Sequence, residues 1–260
     1  MSMIIASRKN QTVVKSRGLL AEKKLREKEG LIAAEGVKLC TEALDAGLKA
    51  EYAIVSEEAE KKFSELTERL RGVCQVYVVT QDIYFYLSQQ KSPQGIFLAL
   101  KLLDKSKNLD RILEKDKIIL LDCIQDSGNL GTIIRTAEAF GIEGAVLSSD
   151  CADPYSPKTL RASMGSGFRL PICVSSSLED TVIKLKEKGF EVYAAMLDET
   201  ARRLGEFVFP KRCALVIGNE GHGVSQETAE RCDKVYIPIR GAESLNAAVA
   251  AAVICYEMGK

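Results

Sequence analysis

The stretch VYIPIRGAESLNAAVAAAVICYE, Val235–Glu257, joins a short apolar strand to an Ala-rich helix through a turn marked by Pro238 and Gly241. From Ser244 onward it carries no charged residue until Glu257. Ser244 stands where an N-cap belongs, because its hydroxyl can accept one of the unpaired N–H groups of a first helical turn. Ala247, Ala248, Ala250, Ala251 and Ala252 make the helix small and apolar on more than one face, so it is buried or packed closely on another backbone. A strand end, a polar turn and a helix N-terminus in succession make a ligand site at the carboxyl edge of a sheet. They equally make an ordinary connection, and the stretch alone does not separate the two.

Outward from this unit the pattern repeats. From Lys117 the strands read KIILLD, GAVLSS, LPICVS, EVYAAML, CALVIGN and KVYIPI, and helices are expected over 129–140, 156–165, 177–189, 225–232 and 244–257. Near-continuous apolar strands separated by helices indicate a parallel sheet covered on both faces. Upstream, a charged helical region over 10–29 precedes LIAAEG, a helix over 37–46, EYAIVS, a helix over 57–72, VCQVYVVT, a short helix from Gln81 and GIFLAL. This is a second, smaller α/β domain. Residues 101–116, KLLDKSKNLDRILEKD, read as a linker that becomes the first helix of the C-terminal domain, which divides the chain into 1–104 and 105–260.

Three segments carry a family resemblance: Asp122–Gly141 (DCIQDSGNLGTIIRTAEAFG), Leu215–Ser225 (LVIGNEGHGVS) and IPIRGAESLNAAVAAA. In this order they resemble the three signature motifs of the SpoU (TrmH-type) RNA 2′-O-ribose methyltransferases of the SPOUT class. KEGLIAAEGVKLCTEAL and SPQGIFLAL resemble the substrate-binding domain, similar to ribosomal protein L30e, that precedes the catalytic domain in many members. The resemblance implies an α/β chain with a small N-terminal L30e-like RNA-binding domain and a C-terminal SPOUT domain. In that domain a trefoil knot replaces the Rossmann-like sheet that unknotted connectivity would favour. It also implies S-adenosylmethionine as cofactor and a homodimer, with the Ala-rich helix as the close-packing face.

Within the motifs, Gly128 and Gly131 permit a tight strand-to-helix turn, Asn129 lies near the helix N-terminus and Arg135 lies further along. A cap is the plain alternative for Asn129, and a surface ion pair for Arg135. The resemblance places both in the active site, with Arg135 on the phosphate and ribose of the target nucleotide, a task suited to its planar charged fork. Ser127 stands where the family usually has Pro. Gly218–Gly223, GNEGHG, runs GxxGxG, not the GxGxxG of a dinucleotide loop, and no acidic ribose ligand follows at the required distance. It reads as a strand-end turn on which a flat adenosine can lie, with Gly218, Asn219 and Gly221 as cofactor-binding candidates. Glu220 matches the family's acid. His222, the only histidine, is taken as a turn residue. By resemblance Ser244 and Asn246 are active-site residues, and Ile237 and Leu245 wall the methyl donor.

Composition limits the remaining choices. Among 260 residues, 36 Lys and Arg balance 36 Asp and Glu, which excludes gross polyelectrolyte binding. Locally, residues 1–30 hold eight basic side chains against three acidic, so Arg8, Lys9 and Lys15 are RNA-binding candidates. Lys158 and Arg161, on one face of the helix expected between the first two motifs, are two more. No apolar run is long enough for a membrane span, and there is no signal-peptide core. The eight cysteines are scattered without CxxC or zinc-ligand spacing, so no disulfide, no metal and a cytoplasmic setting are expected. An enzyme acting on ribosomal RNA is the first reading, and a transfer RNA 2′-O-methyltransferase the second. A non-catalytic RNA-binding protein with the same fold stands as the alternative from another class.

Overall fold

Asn10 starts the first helix by accepting the N–H groups of Thr12 and Val13 at 2.9 and 3.4 Å. The computed structural model describes residues 4–102, 108–241 and 244–260 and forms two units, 1–103 with 155–168 and 104–154 with 169–260. In chain order the first elements are α1 (Gln11–Ala21), α2 (Lys23–Glu29), β1 (Leu31–Glu35), α3 (Val37–Asp45) and β2 (Ala50–Ser56). They are followed by α4 (Glu57–Lys62), α5 (Ser64–Arg71), β3 (Gln75–Val79), α6 (Gln81–Leu87) and β4 (Ile96–Lys101). The strands form a mixed sheet of order β1-β4-β2-β3, in which only β2 and β3 run parallel. Strand alternation sends Ile32 and Ala34 to one core with Leu39, Cys40 and Leu70, and Leu31 and Ala33 to another with Val13, Leu19 and Tyr84. Both faces are therefore covered by helices.

The chain continues with α7 (Asn108–Leu113), β5 (Lys117–Leu121), α8 (Ser127–Ala139), β6 (Gly144–Ser148), α9 (Pro157–Ala162), α10 (Ser166–Arg169), β7 (Ile172–Ser175) and α11 (Leu178–Glu187). It ends with β8 (Glu191–Ala195), β9 (Arg202–Arg203), β10 (Cys213–Ile217), α12 (Gln226–Ala229), β11 (Asp233–Tyr236) and α13 (Ala247–Gly259). Seven strands in the order β7-β6-β5-β10-β8-β11-β9 make one sheet, and every pairing in it is parallel. Ile119 and Leu121 of β5 face a core shared with α8 and α13, while Ile118 and Leu120 face one shared with α7, α11 and α12. Helix α13 lies on α8 so closely that a Cβ at Gly259 would stand 2.8 Å from the Phe140 carbonyl oxygen.

Several boundaries differ from the sequence reading, each for a local reason. The helices expected over 10–29 and 57–72 are each split, at Glu22 and Phe63, whose backbones leave the helical region. The helix expected to reach 165 ends at Ala162, because Met164 (φ 51°) and Gly165 (φ 90°) turn left-handed. At Gly165 a Cβ would meet that of Glu42 at 2.7 Å, so only glycine lets the chain pass. Helix α13 begins at Ala247, not Ser244, and its N-cap is Asn246. Strand β9 was not expected. The division at 104/105 falls outside the described residues, and the N-terminal unit also takes in 155–168, whose Tyr155, Leu160 and Phe168 lie in its core.

All eight cysteines are free. Burial pushes the thiols of Cys74 and Cys213 up to about 11 and those of Cys232 and Cys255 up to about 12, so they behave as small apolar groups. Among the described residues, no helix is long and apolar enough to cross a membrane.

Leu160 is fully buried in the N-terminal core although it lies far along the chain. Leu160→Ala is expected to destabilise that core by about 2–5 kcal/mol. Denaturant unfolding would register this as a lower midpoint at unchanged slope.

Candidate active site

Each of the three motifs ends at the carboxyl edge of the parallel sheet, and hydrogen bonds between their loops build the site. After β5, Asp122 accepts both the N–H and the hydroxyl of Ser225, at 2.8 and 2.7 Å, tying this strand end to the loop beyond β10. Cys123 adopts φ 57°, sparsely populated for a residue with a side chain. Two bonds hold it there, its N–H donating to Ser148 Oγ at 2.9 Å and its carbonyl accepting Asn219 Nδ2 at 3.0 Å. Asp126 then caps α8 by accepting the N–H of Asn129 at 2.8 Å. With the cap supplied by Asp126, the Asn129 side chain is left for the site.

The loop after β10 closes on itself. Asn219 and Gly223 exchange N–H···O bonds of 3.0 and 2.8 Å, and Asn219 Oδ1 takes the Gly221 N–H at 2.7 Å. A Cβ at Gly218 would lie 2.0 Å from the Gly223 carbonyl carbon, so this glycine is required by the turn itself. The closed turn presents Glu220. Its Oε1 accepts Asn129 Nδ2 at 2.7 Å, Asn246 Nδ2 at 2.7 Å and the Ala247 N–H at 3.3 Å. Asn246 uses its Oδ1 to cap α13, accepting Ala248 N–H at 3.0 Å, and its Nδ2 also reaches Asn129 Oδ1 at 3.2 Å. A single carboxylate oxygen thus joins all three motifs, and it sits at a helix N-terminus where negative charge is favoured.

Beside this cluster opens a cavity of about 720 Å³ with mostly apolar walls. Gly218, Asn219, Ile237 and Leu245 line it as the sequence suggested, joined by Glu220 and Ser244. Gly221 does not: it lies in the turn, its N–H taken by Asn219, and Gly223 lines the cavity in its place. Ser244 is exposed on the wall and does not cap the helix. The sequence reading missed Met196 and Leu197, which also line the cavity. Their one available signal was their place just past the carboxyl end of a parallel strand. Lys234 holds that segment by an ion pair of 2.8 Å with Asp198, and the Lys234 and Thr200 hydrogen bonds keep the Asp198 carboxyl well below the usual carboxylate range.

The Arg135 side chain makes no bond to the carboxylate cluster. It is exposed on α8 and has no hydrogen bond or ion pair with any described residue, so the surface ion pair weighed for it does not form. His222 is exposed in its turn. Of the residues suggested for RNA, Arg8 pairs with Asp82 at 3.1 Å and Lys15 with Glu29 at 2.7 Å, so their charges are partly neutralised within the protein. Lys9 and Lys158 are exposed, and Arg161 is half-buried one helical turn from Lys158. Among the described residues no group of His, Cys, Asp or Glu could hold a metal ion.

The chain is similar to known proteins over both units. Residues 116–256 match the SpoU rRNA Methylase family, and residues 10–98 match the MRM3-like substrate binding domain. This chain belongs to the SpoU rRNA methylase family. It is 36% identical to the 23S rRNA (guanosine(2553)-2′-O)-methyltransferase RlmP of Bacillus subtilis, over 98% of each chain. The AdoMet-bound rRNA methyltransferase of Sinorhizobium meliloti superposes with a TM-score of 0.87 at 29% identity, over 99% of this chain and 97% of that one. The SpoU methyltransferase AviRb of Streptomyces viridochromogenes, solved with AdoMet, gives 0.84 at 28%, over 96% and 97%. The α/β fold with a parallel sheet is that of these SPOUT methyltransferases.

Two substitutions separate the parts of this site. Gly218→Val should lower the melting temperature, since the side chain would enter the Gly223 backbone. Glu220→Ala should leave three N–H donors facing no acceptor, at about 1–3 kcal/mol for each one kept from water. Glu220→Gln, which keeps an acceptor oxygen, should recover much of that stability in thermal unfolding.

Proposed function

We propose that this protein transfers a methyl group from S-adenosylmethionine to a ribose 2′-hydroxyl of ribosomal RNA. The observation that carries the proposal is the junction of Asn129, Asn246 and the start of α13 on Glu220 Oε1, at the rim of the cavity. A nucleoside cofactor fits the walls. Ile217, Ile237 and Leu245 offer an apolar slot for a flat purine, and at about 720 Å³ the cavity lies within the range of small-molecule sites. When bound, S-adenosylmethionine supplies a methyl group on a sulfonium, open to attack by an oxygen nucleophile.

The protein's own residues must align that oxygen and stabilise charge. Alignment alone can lower a barrier by several kcal/mol. Glu220 holds the two asparagine amides in fixed positions, which leaves Ser244 and the amides to orient the ribose. Arg135, free of internal partners, is available for the phosphate and ribose of the target nucleotide. A guanidinium is always protonated and is no base, so Arg135 acts as positioner and electrostatic stabiliser while the hydroxyl proton passes to another acceptor, such as a substrate phosphate. The 2′-hydroxyl marks RNA, so substrate and chemistry agree. The N-terminal unit supplies RNA affinity, with Arg8, Lys9, Lys158 and Arg161 as contacts.

The same proposal includes a trefoil knot, a homodimer and a cytoplasmic setting. For the knot the support is that β10 enters the sheet between β5 and β8, two strands already laid down. For the homodimer it is the outer face of α13. The alanine face expected to serve is packed on α8, whereas Val249, Val253 and Tyr256, at i, i+4 and i+7, are 50%, 37% and 52% exposed. Eight cysteines, none of them in a disulfide, support the cytoplasm.

Arg135→Ala should lower single-turnover methyl transfer to ribosomal RNA at least a hundredfold, about 3 kcal/mol of barrier, with donor affinity and melting temperature unchanged. Arg135→Lys should rescue only part of the rate. A wild-type rate in the alanine variant removes Arg135 from the reaction. Methylation of transfer RNA in place of ribosomal RNA overturns the substrate. Sedimentation at micromolar concentration should give a species twice 28.5 kDa, and Val249→Asp should halve it.

A further inference from the structure

The N-terminal unit carries an arginine–aromatic stack that neither the motifs nor the cavity account for. Helix α6 packs against α1, and the guanidinium of Arg17, exposed on α1, lies 4.1 Å from the centre of the Tyr86 ring. The guanidinium of Arg8 lies 5.0 Å from the same ring centre. Two bonds to Asp82, at 3.1 and 3.3 Å, hold Arg8 there. Asp82 and Tyr86 are one helical turn apart, so Arg8 spans that turn. Phe85, on the same outer side of α6, is 51% exposed.

Charge on this surface is unbalanced. Residues 4–20 contain four basic side chains and no acidic one, and α6 adds a single carboxylate, Asp82. Asp82 is engaged by Arg8, and Lys15 is engaged by Glu29. Arg17 has no hydrogen-bond or ion-pair partner among the described residues, and neither does the ammonium of Lys9. A guanidinium lying on a ring keeps its N–H edge free to grip a phosphate oxygen in bidentate fashion. Its flat face and an exposed phenyl ring are surfaces on which unstacked bases lie.

We propose that Arg17, Tyr86 and Phe85, with Arg8 and Lys9 beside them, form a binding site for a single-stranded segment of RNA. The proposal rests on the reading of this protein as one that acts on RNA, and it specifies what the N-terminal unit grips. Tyr86 and Asp82 hold the arginines in place, Arg17 and Lys9 take phosphates, and Phe85 stacks on an unpaired base. A duplex hides its base faces and could use only the phosphate contacts.

The test is fluorescence anisotropy of a short labelled single-stranded RNA with the full-length protein, over a range of salt concentrations. Phe85→Ala should weaken binding about tenfold. Arg17→Ala should weaken it similarly and reduce the slope of log affinity against log salt by about one. Arg17→Lys should keep most of the slope but not the affinity. Both side chains are exposed, and unchanged melting temperature and S-adenosylmethionine affinity should confirm intact folding. Wild-type affinity and slope in folded Arg17→Ala and Phe85→Ala would overturn the site. An equal loss from Phe85→Ala on a blunt RNA duplex would overturn the single-strand assignment. Loss of binding to an acidic peptide, with RNA binding unchanged, would assign the surface to a protein partner instead. Methylation of ribosomal RNA by the wild-type protein is assayed in parallel: its absence overturns the proposed reaction, whatever these variants do.

Discussion

One oxygen, Glu220 Oε1, receives N–H groups from α8, from the N-cap residue of α13 and from the first residue of α13 itself. Its neighbours are arranged to make that possible. Asp126 caps α8 and so leaves the Asn129 amide available, while Asn246 caps α13 with its oxygen and keeps its nitrogen for the carboxylate. Charge-assisted bonds of this kind are stronger than neutral ones, and here they fix three loops that come from distant parts of the chain. A functional site on loops needs such bracing, because loops are otherwise the most mobile parts of a fold.

Bracing depends in turn on close backbone approach. Gly218 lies against the Gly223 backbone, and the antiparallel pairing of Asn219 with Gly223 sets the direction in which Glu220 leaves the turn. Behind the loops, α13 can press on α8 because alanines line the contact and Gly259 meets the Phe140 carbonyl. The sheet contributes rigidity through β5 and β10, which are hydrogen-bonded neighbours and carry two of the three motifs at their ends. Packing, capping and the site are therefore one arrangement, in which a change in the turn is felt at the carboxylate.

The N-terminal unit shows another use of charge. Of the four basic residues near the start of the chain, Arg8 and Lys15 are paired with internal acids, which makes the two without an acid, Arg17 and Lys9, more informative than the raw count. A sequence shows an excess of positive charge. Only a folded surface shows which charges have partners and which lie open to a polyanion.

Legible in the residues alone were the parallel C-terminal sheet, the smaller α/β unit before it, the family, and four of the five cofactor-binding candidates that turn out to line the cavity, Gly218, Asn219, Ile237 and Leu245. These were legible because apolar runs, glycines and capping residues act over a few neighbouring positions, and because the motifs are contiguous. Tertiary structure alone decided the rest. The capping of α8 by Asp126 and of α13 by Asn246, where Ser244 had been expected, depends on backbone angles that many short polar residues could have satisfied. The splits at Glu22 and Phe63 are equally invisible in helical periodicity. Residues 155–168 join the N-terminal core because Leu160 and Phe168 find apolar partners there, many of them more than a hundred positions upstream. Met196 and Leu197 reach the cavity wall, and Gly221 does not, because strand order and turn geometry set which residues meet, and neither is written in the spacing of residues along the chain.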